Sequence, residues 1–526
     1  MSTAQAAATG GGHSAPPIST VAGTGGAGFK GENEPAVEAE LDSPYGIAVD
    51  GAGTLYICDV NNFRIRKVTA DGKISTFAGL DSAGFDGDGG PATAAQFKGP
   101  MGVAVDSTGA VYIADCWNHR VRKVTADGKV RTFAGSSPAD VGRGGFAGDD
   151  GLATSAQLNR PIGVAVDSAG VVYIVDQRNH RVRKVTADGK ISTFAGMSSA
   201  GFHGGFGGDG GLATSAELRN PQGVAVDGAG DVYIADTGNH RVRKVTGDGK
   251  ISTFAGSGPA GFNGGFDGDG GPATSAQLNA PAGIVVDSTG VLYIADIANH
   301  RVRKVTADGK ISTFAGSGPA GFNGGFDGDG GPATSAELRR PFALAVDFVD
   351  ALYIADTGNH RVRKVASAKM AGLPDSGTVV AWANVRSRLR MGVLGESTRD
   401  GAEVHQLHTV PRDHQRWRLV VVGLDSGDVL YRIENVRSGK VLEVIGAQKV
   451  AGAAVAQRAY EGIDARHQQW RLIPVGSGNG TPRVYEIANR GSGLLLRVDN
   501  NTPRTVIKQH KSQGDHQGQQ WQLLPV

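Results

Sequence analysis

One pattern recurs six times in the first two-thirds of the chain. It reads P-x-G-V-A-V-D-x-x-G-x-V-Y-I-A-D-x-x-N-H-R-V-R-K-V-T-A-D-G-K-I-S-T-F-A-G, and its tyrosine falls at Tyr56, Tyr112, Tyr173, Tyr233, Tyr293 and Tyr353. A fixed period of this length means a repeat architecture, because one unit cannot bury its own apolar face and must stack on its neighbours. Each copy holds four short runs rich in Val, Ile, Tyr, Phe and Thr. In the fourth copy they are Gly223-Val224-Ala225-Val226, Val232-Tyr233-Ile234-Ala235, Val242-Arg243-Lys244-Val245 and Ile251-Ser252-Thr253-Phe254-Ala255. Gly- and Asp-rich joints separate them, which suits strands and tight turns rather than helices. A four-stranded antiparallel meander repeated at this spacing is a propeller blade.

Counting strands predicts how the ring closes. The first copy is preceded by Ile18-Ser19-Thr20-Val21-Ala22-Gly23, a fourth strand without a blade, and the sixth copy stops at Val365-Ala366 without one. The N-terminal strand is therefore expected to complete the last blade. The segments Asn118-His119-Arg120, Asn179-His180-Arg181, Asn239-His240-Arg241, Asn299-His300-Arg301 and Asn359-His360-Arg361 resemble the NHL repeat, and the first blade departs with Asn62-Phe63-Arg64. The resemblance implies a six-bladed NHL-type β-propeller. It implies no single activity, because one fold hosts many functions.

Composition shifts after Lys369, where the Gly-rich repeats end and four of the five tryptophans appear. A weaker threefold repeat follows, anchored by Gln415-Arg416-Trp417, Gln468-Gln469-Trp470 and Gln519-Gln520-Trp521. Three Q-x-W units resemble the ricin-B-type β-trefoil lectin. The fold class is thus all-β, a six-bladed propeller followed by a β-trefoil. The expected boundaries are a flexible tail over 1–17, a propeller over 18–368, a linker over 369–376 and a trefoil over 377–526. The linker composition predicts few contacts across it. In the lectin family the Q-x-W residues build the fold, and sugar binding uses an early Asp, a stacking aromatic, a Gln in the following strand and an Asn before Q-x-W. Here the Asp position is Gly392, Glu443 and Arg497, and the Asn position is His414, His467 and Gly518. The second lobe keeps most, so Glu443, Gln457, Tyr460, His467 and Gln468 are the candidate carbohydrate-binding residues. A carboxylate and an amide would meet vicinal hydroxyls and an aromatic ring the sugar face.

Differences among the propeller copies point to a second surface. The residue after the first-strand proline and the tip between the second and third strands vary while the blades stay constant. They supply the candidate rim residues Tyr45, Met101, Trp117, Ile162, Gln177, Arg178, Gln222 and Phe342, on one face around the pore. The inserts between blades are long and are expected on that same face, where repeated loops usually carry function. Their Asp-Gly-Asp-Gly-Gly segments resemble calcium loops but offer few carboxylates. No cofactor is expected, calcium at these loops being the exception to test. No metal site is expected, and the five repeated histidines read as scaffold.

Net charge is +2, which argues against nucleic acid as partner. Two cysteines exclude a disulfide framework. No apolar run is long enough for a membrane span. Residues 1–17 lack the basic and apolar regions of a signal peptide, so the chain reads as cytoplasmic, with an extracellular location as the alternative. The composite expectation is a monomeric, non-catalytic binding protein: the propeller is a recognition or assembly platform, the trefoil a lectin-like module, and the ligand a glycan or a protein. The alternative is an NHL-like lyase or hydrolase targeted to glycans by its lectin domain. No nucleophile–base pair or other catalytic residue stands out.

Overall fold

A computed structural model describes the chain outside residues 1–14, 137–143, 198–203, 259–263, 319–322, 371–372, 411, 476–483 and 514–516. Most of the expected N-terminal tail and the central part of several inserts therefore lie outside the described residues. The repeats form six four-stranded antiparallel sheets arranged as blades, with the strands of each called a to d from the pore outward. In the fourth blade these are Gly223–Val226, Val232–Asp236, Arg241–Val245 and Ile251–Ala255, paired in sequence order. β-Branched residues on both faces of each sheet pack against the neighbouring blades. Ile234 and Val242 are fully buried, each in a core shared with an adjacent blade.

The ring closes through the N-terminus. Ile18–Ala22 pairs antiparallel with Arg361–Val365, with Ile18 opposite Val365 and Thr20 opposite Arg363. It completes the sheet of Pro341–Val346, Leu352–Asp356 and Arg361–Val365. Ile18 also exchanges backbone hydrogen bonds with Gly330 and Gly331.

The described parts of the long inserts do not gather on the pore face. Each descends the outer edge of the blade it leads into and hydrogen-bonds to that blade's d strand. The Gly89 amide donates to the Val130 carbonyl at 2.7 Å, and the Val130 amide to Gly90 at 3.1 Å. An outer strand of a propeller blade is an exposed sheet edge, and this cover occupies its unpaired groups. The first insert does the same with different residues, since Glu34–Pro35 pairs with Lys73–Ala78. The expectation that these loops display a functional surface is corrected for their described parts, which are scaffold.

The trefoil is built from three lobes around four buried tryptophans, Trp382, Trp417, Trp470 and Trp521. The last three donate their indole N–H to the backbone oxygens of Met391, Leu442 and Leu496. Three glutamines latch each lobe to another. Gln406 donates to Asn500 and Thr502, Gln457 to Ser397 and Arg399, and Gln509 to Gln448 and Val450, all at backbone oxygens.

The two domains share an apolar seam, contrary to the expectation of few contacts. The sixth copy breaks the repeated D-S-T-G turn with Asp347-Phe348-Val349-Asp350-Ala351. Val349 and Ala351 are buried, Phe348 is half-buried, and all three belong to the same apolar cluster as Met370, Leu419 and Val421. Asp350 receives Lys369 at 2.6 Å and the Ser288 hydroxyl at 2.8 Å. A cavity of about 420 Å³ remains at the seam, lined by Val37, Leu55, Phe348, Lys364, Asp375 and Val421.

Two outcomes follow from this architecture. Removing residues 1–24 takes away the closing strand and is expected to lower the propeller's melting temperature by about 5 °C or more, whereas removing 1–14 leaves it unchanged, as read by calorimetry. Restoring the common turn with Phe348→Ser and Val349→Thr removes apolar contact worth on the order of 2–4 kcal/mol. The trefoil should then melt as a separate transition at a temperature distinct from that of the ring.

Candidate functional site

The motif residues that repeat in every blade are engaged in holding the ring. In the second blade the Asp115 carboxylate, at the top of strand b, accepts from the Lys98 amide at 2.8 Å and the Asn118 amide at 2.8 Å. Buried Arg122 of strand c lies 3.6 Å from Asp115 and 2.7 Å from Asp88 of the insert. Burial pushes the Asp115 carboxyl up to about 6, against the pull of Asn118, the Lys98 amide and Arg122. Phe85 of the insert covers both arginines of the strand, with Arg120 at 3.9 Å and Arg122 at 4.8 Å from its ring centroid. The same arrangement recurs through Phe146, Phe206, Phe266 and Phe326. The R-V-R-K strand is therefore not an open basic surface. The Asp-Gly carboxylates are likewise engaged, as Asp149 bonds Arg183 and Thr193, and Asp269 bonds Arg303 and Thr313.

Each motif histidine links its blade to the next. The ring nitrogen Nδ1 of His119, His180, His240, His300 and His360 accepts from the backbone amides of Arg160, Asn220, Ala280, Arg340 and Ser43, at 3.0–3.2 Å. All five donating residues have φ between 44° and 57°, a left-handed conformation that non-glycine residues adopt only when the surroundings hold it. The histidines are scaffold, as their repetition implies.

What remains free is the rim. Tyr45 and Phe342 stack at 4.2 Å between centroids, tilted by 44°. With Gln222, Ile297, Arg340 and Thr357 they line a cavity of about 390 Å³ at the pore mouth. Below it a chamber of about 250 Å³, walled by the Gly, Ala and Val of the a strands, includes Met101 and Ile162. Ile162 is buried and packs in the blade core. Trp117 is 38% exposed at the tip of the second blade, and Gln177 and Arg178 hold the same tip in the third. A Cβ on Gly99, at φ 62°, would fall 2.8 Å from the indole, so only glycine lets Trp117 lie there.

In the second trefoil lobe Glu443 is 1% exposed. Its carboxylate accepts from Arg458 Nε at 2.8 Å and lies 3.6 Å from His467 Nε2, which is also 3.6 Å from Glu461. The Glu443 charge and hydrogen bond push Arg458 above its ordinary range. One ligand atom each from Glu443, Glu461 and His467 lies within 4.8 Å of the others, a spacing that admits a divalent ion. The Arg458 guanidinium already takes one of the Glu443 oxygens. Tyr460 has the Arg432 guanidinium 5.0 Å over its ring. Two of the expected residues turn inward. Gln457 is the inter-lobe latch described above, and Gln468 accepts from the Glu461 amide and donates to Ala459 O. Arg458 and Glu461 complete the charged cluster around Glu443 and His467, and reading the sequence misses them because the family pattern assigns them no position. In lobe one, a Cβ on Gly392 would meet Gln415 at 2.9 Å and Leu407 at 3.0 Å, so this position is closed by packing.

The fold and these sites define a repeat propeller joined to a lectin-like trefoil. The profile of the ricin-type β-trefoil lectin domain matches residues 373–458, 413–510 and 466–526. That of the NHL repeat matches 97–124 and 218–245, and that of the teneurin NHL domain matches 137–203, 259–320 and 298–366. The chain is an NHL-repeat β-propeller protein with a C-terminal ricin-B-type β-trefoil domain. It is 29% identical to mouse teneurin-4 over 358 residues, which is 63% of this chain and 12% of teneurin-4. It is 27% identical to chicken teneurin-1 over 509 residues, covering 92% of this chain and 17% of teneurin-1. The chain thus corresponds to a small part of the length of these relatives. Among solved structures, a designed 3-fold symmetric protein, ThreeFoil, is 31% identical and covers 28% of this chain and 99% of its own, with a TM-score of 0.25. Among the described residues no helix is long and apolar enough to cross a membrane.

Burial, followed by the charges of Arg340, Arg339 and Arg301, holds the His300 imidazole below its ordinary value of 6.5. The unfolded chain therefore takes up the proton first, and the stability contributed by neutral His300 is present above pH 6.5 and lost as pH falls through it. His300→Asn keeps a residue tolerant of positive φ and removes the titration. It is expected to cost about 1 kcal/mol at pH 7.5, and its difference from the parent protein should shrink by pH 5.5 in urea unfolding. Comparing the two proteins isolates this effect from Asp296, whose buried carboxyl is pushed up to about 6 and acts with the opposite sign.

Proposed function

We propose that this protein is a non-catalytic two-module binding protein. Its propeller recognises or assembles partners through the pore-mouth rim, and its trefoil carries one carbohydrate-contacting pocket, in lobe two. The observation that carries this reading is a division of labour among the repeats. The repeated Asp, Asn and Arg of every blade and the His of five are engaged in the scaffold, while the variable Tyr45, Gln222 and Phe342 line an open cavity. Teneurin likeness supports a binding or assembly role for such a propeller.

In the trefoil, Glu443 and His467 occupy the sequence positions that the lectin resemblance gives to the sugar-binding Asp and Asn, and they lie 3.6 Å apart. Arg458 and Glu461 extend that polar surface. Tyr460, half-buried beside Arg432, supplies the aromatic ring for stacking in this reading. A single shallow site of this kind binds weakly, on the order of millimolar, so the natural ligand is expected to be multivalent or to be held jointly by the rim.

A glycan array probed with the full chain tests the pocket. Binding should be lost with Glu443→Gln and with His467→Ala, and kept with Arg497→Ala in lobe three. A signal indifferent to both lobe-two changes, or no signal at all, removes the carbohydrate assignment and leaves the trefoil as a protein-binding or structural module.

A further inference from the structure

The rim carries a charge pattern that the repeat does not require. Lys98, Arg160, Arg178, Arg219, Arg339 and Arg340 are all exposed. Five of them occupy the two positions before the strand-a proline, and Arg178 is on the neighbouring tip. The scaffold uses only their backbones. The amides of Lys98, Arg219 and Arg339 donate to Asp115, Asp236 and Asp356 at 2.7–2.8 Å, and those of Arg160 and Arg340 donate to the linking histidines. The fifth blade makes the same bonds with Asn279 and Ala280, whose side chains carry no charge.

Among the described residues, none of the six side chains forms an ion pair. The six buried arginines of the c strands each have at least one carboxylate within 3.6 Å. At the corresponding approach and tip positions of all six blades the single acid is Asp42, whose carboxylate accepts from the Ser43 hydroxyl and the Asn61 side-chain amide.

Apolar surface sits inside this collar. Arg340 lines the mouth cavity with Tyr45, Phe342 and Gln222. The Arg160 amide donates to His119, two residues beyond Trp117, and the Arg178 amide donates to the Asn159 backbone oxygen, which places both residues at the corner where Trp117 is exposed. Cations left unpaired around a concave aromatic mouth suit a ligand with carboxylates flanking an apolar group, since guanidinium groups pair carboxylates in a fork geometry. A phosphate backbone would instead call for a charged track with successive stacking platforms, whereas here the charges are spread over blades two, three, four and six beside one mouth.

We propose that the pore-mouth collar is a docking site for an acidic peptide segment of a partner protein, with an apolar side chain entering beside Tyr45 and Phe342 and carboxylates on Arg160, Arg178, Arg339 and Arg340. This rests on the reading of the rim as a recognition surface. It adds the chemistry of the partner.

The test pans a random peptide display library on the full-chain protein and measures the selected peptides by fluorescence polarisation. Ala280 holds the same left-handed position, at φ 52°, so the double variant Arg160→Ala, Arg340→Ala is compatible with the fold. Selected peptides should be rich in Asp and Glu with an aromatic or aliphatic anchor. They should lose about tenfold or more in affinity for the double variant, and weaken as salt rises from about 0.05 to 0.3 M. Peptides without acidic excess that ignore the double variant but are lost with Phe342→Ala or Trp117→Ala would overturn the acidic partner and leave the rim as a recognition surface. Selection of no rim-dependent peptide would overturn both. Tighter collar-dependent binding of an oligothymidylate than of any selected peptide would replace the peptide with a phosphate polyanion.

Discussion

A buried arginine in the third strand of every blade organises the propeller. Arg66, Arg122, Arg183, Arg243, Arg303 and Arg363 are inaccessible to solvent, and each lies 3.5–3.6 Å from a buried aspartate at the end of the preceding strand. Removing such a charge from water costs several kcal/mol, and only full pairing offsets it. The second partner comes from outside the blade. It is an aspartate of the insert in five blades and Glu32 in the first. The insert must therefore run down the outer edge to deliver its carboxylate, and its phenylalanine arrives with it over the guanidinium. One desolvated cation thus fixes the course of the described part of each insert along the outer edge. It also accounts for the cover over the outer strand, and breaking one such pair is a change of the 3–5 kcal/mol class.

The same requirement separates scaffold from surface. A residue present in all copies has a partner in all copies. His119 and its four equivalents reach the next blade, Asn118 and its equivalents hold the strand-b aspartate, and the threefold Gln406, Gln457 and Gln509 reach another lobe. Chemistry toward a ligand has to come from positions where the copies differ, because a ligand contacts one site and not six. The collar arginines, the Tyr45–Phe342 pair and the Glu443–His467 pocket all meet that condition.

Much of this is legible in the residues. Strand count alone places Ile18–Ala22 beside Arg361–Val365, because four-stranded blades leave one strand unmatched at each end. The loops are harder to read. Gly and Asp have the composition of a turn, and nothing local in Asp86-Gly87-Asp88-Gly89 says that Asp88 is needed by an arginine in the third strand of the next blade. Gln457 is assigned to sugar by family pattern, yet Gln406, Gln457 and Gln509 precede Trp417, Trp470 and Trp521 by 11 to 13 residues. That threefold recurrence is the sign of a latch. The Phe348-Val349 departure marks the domain seam, and its apolar character at an otherwise polar turn is the signal. Unpaired rim cations are invisible without the fold, since the sequence is equally rich in arginines that are paired.

The first joint of the ring shows how the scaffold accommodates a departure and gains a surface from it. Phe63 stands where the other blades have histidine and has the same left-handed φ, 55°. With no imidazole to receive an amide, this joint lacks the bond that holds the strained donor residue in the other five. The equivalent position here is Gly99, the one glycine among the six, for which positive φ carries no Cβ penalty. Absence of that Cβ opens the space that Trp117 fills, while the backbone oxygens of Gly99 and Lys98 accept from the Cys116 and Trp117 amides at 3.2 and 3.0 Å. Loss of a scaffold bond at Phe63, relief of backbone strain at Gly99 and an exposed indole at Trp117 thus fall together at one joint. The corner most distinct from the other copies is also the one best furnished to hold a partner.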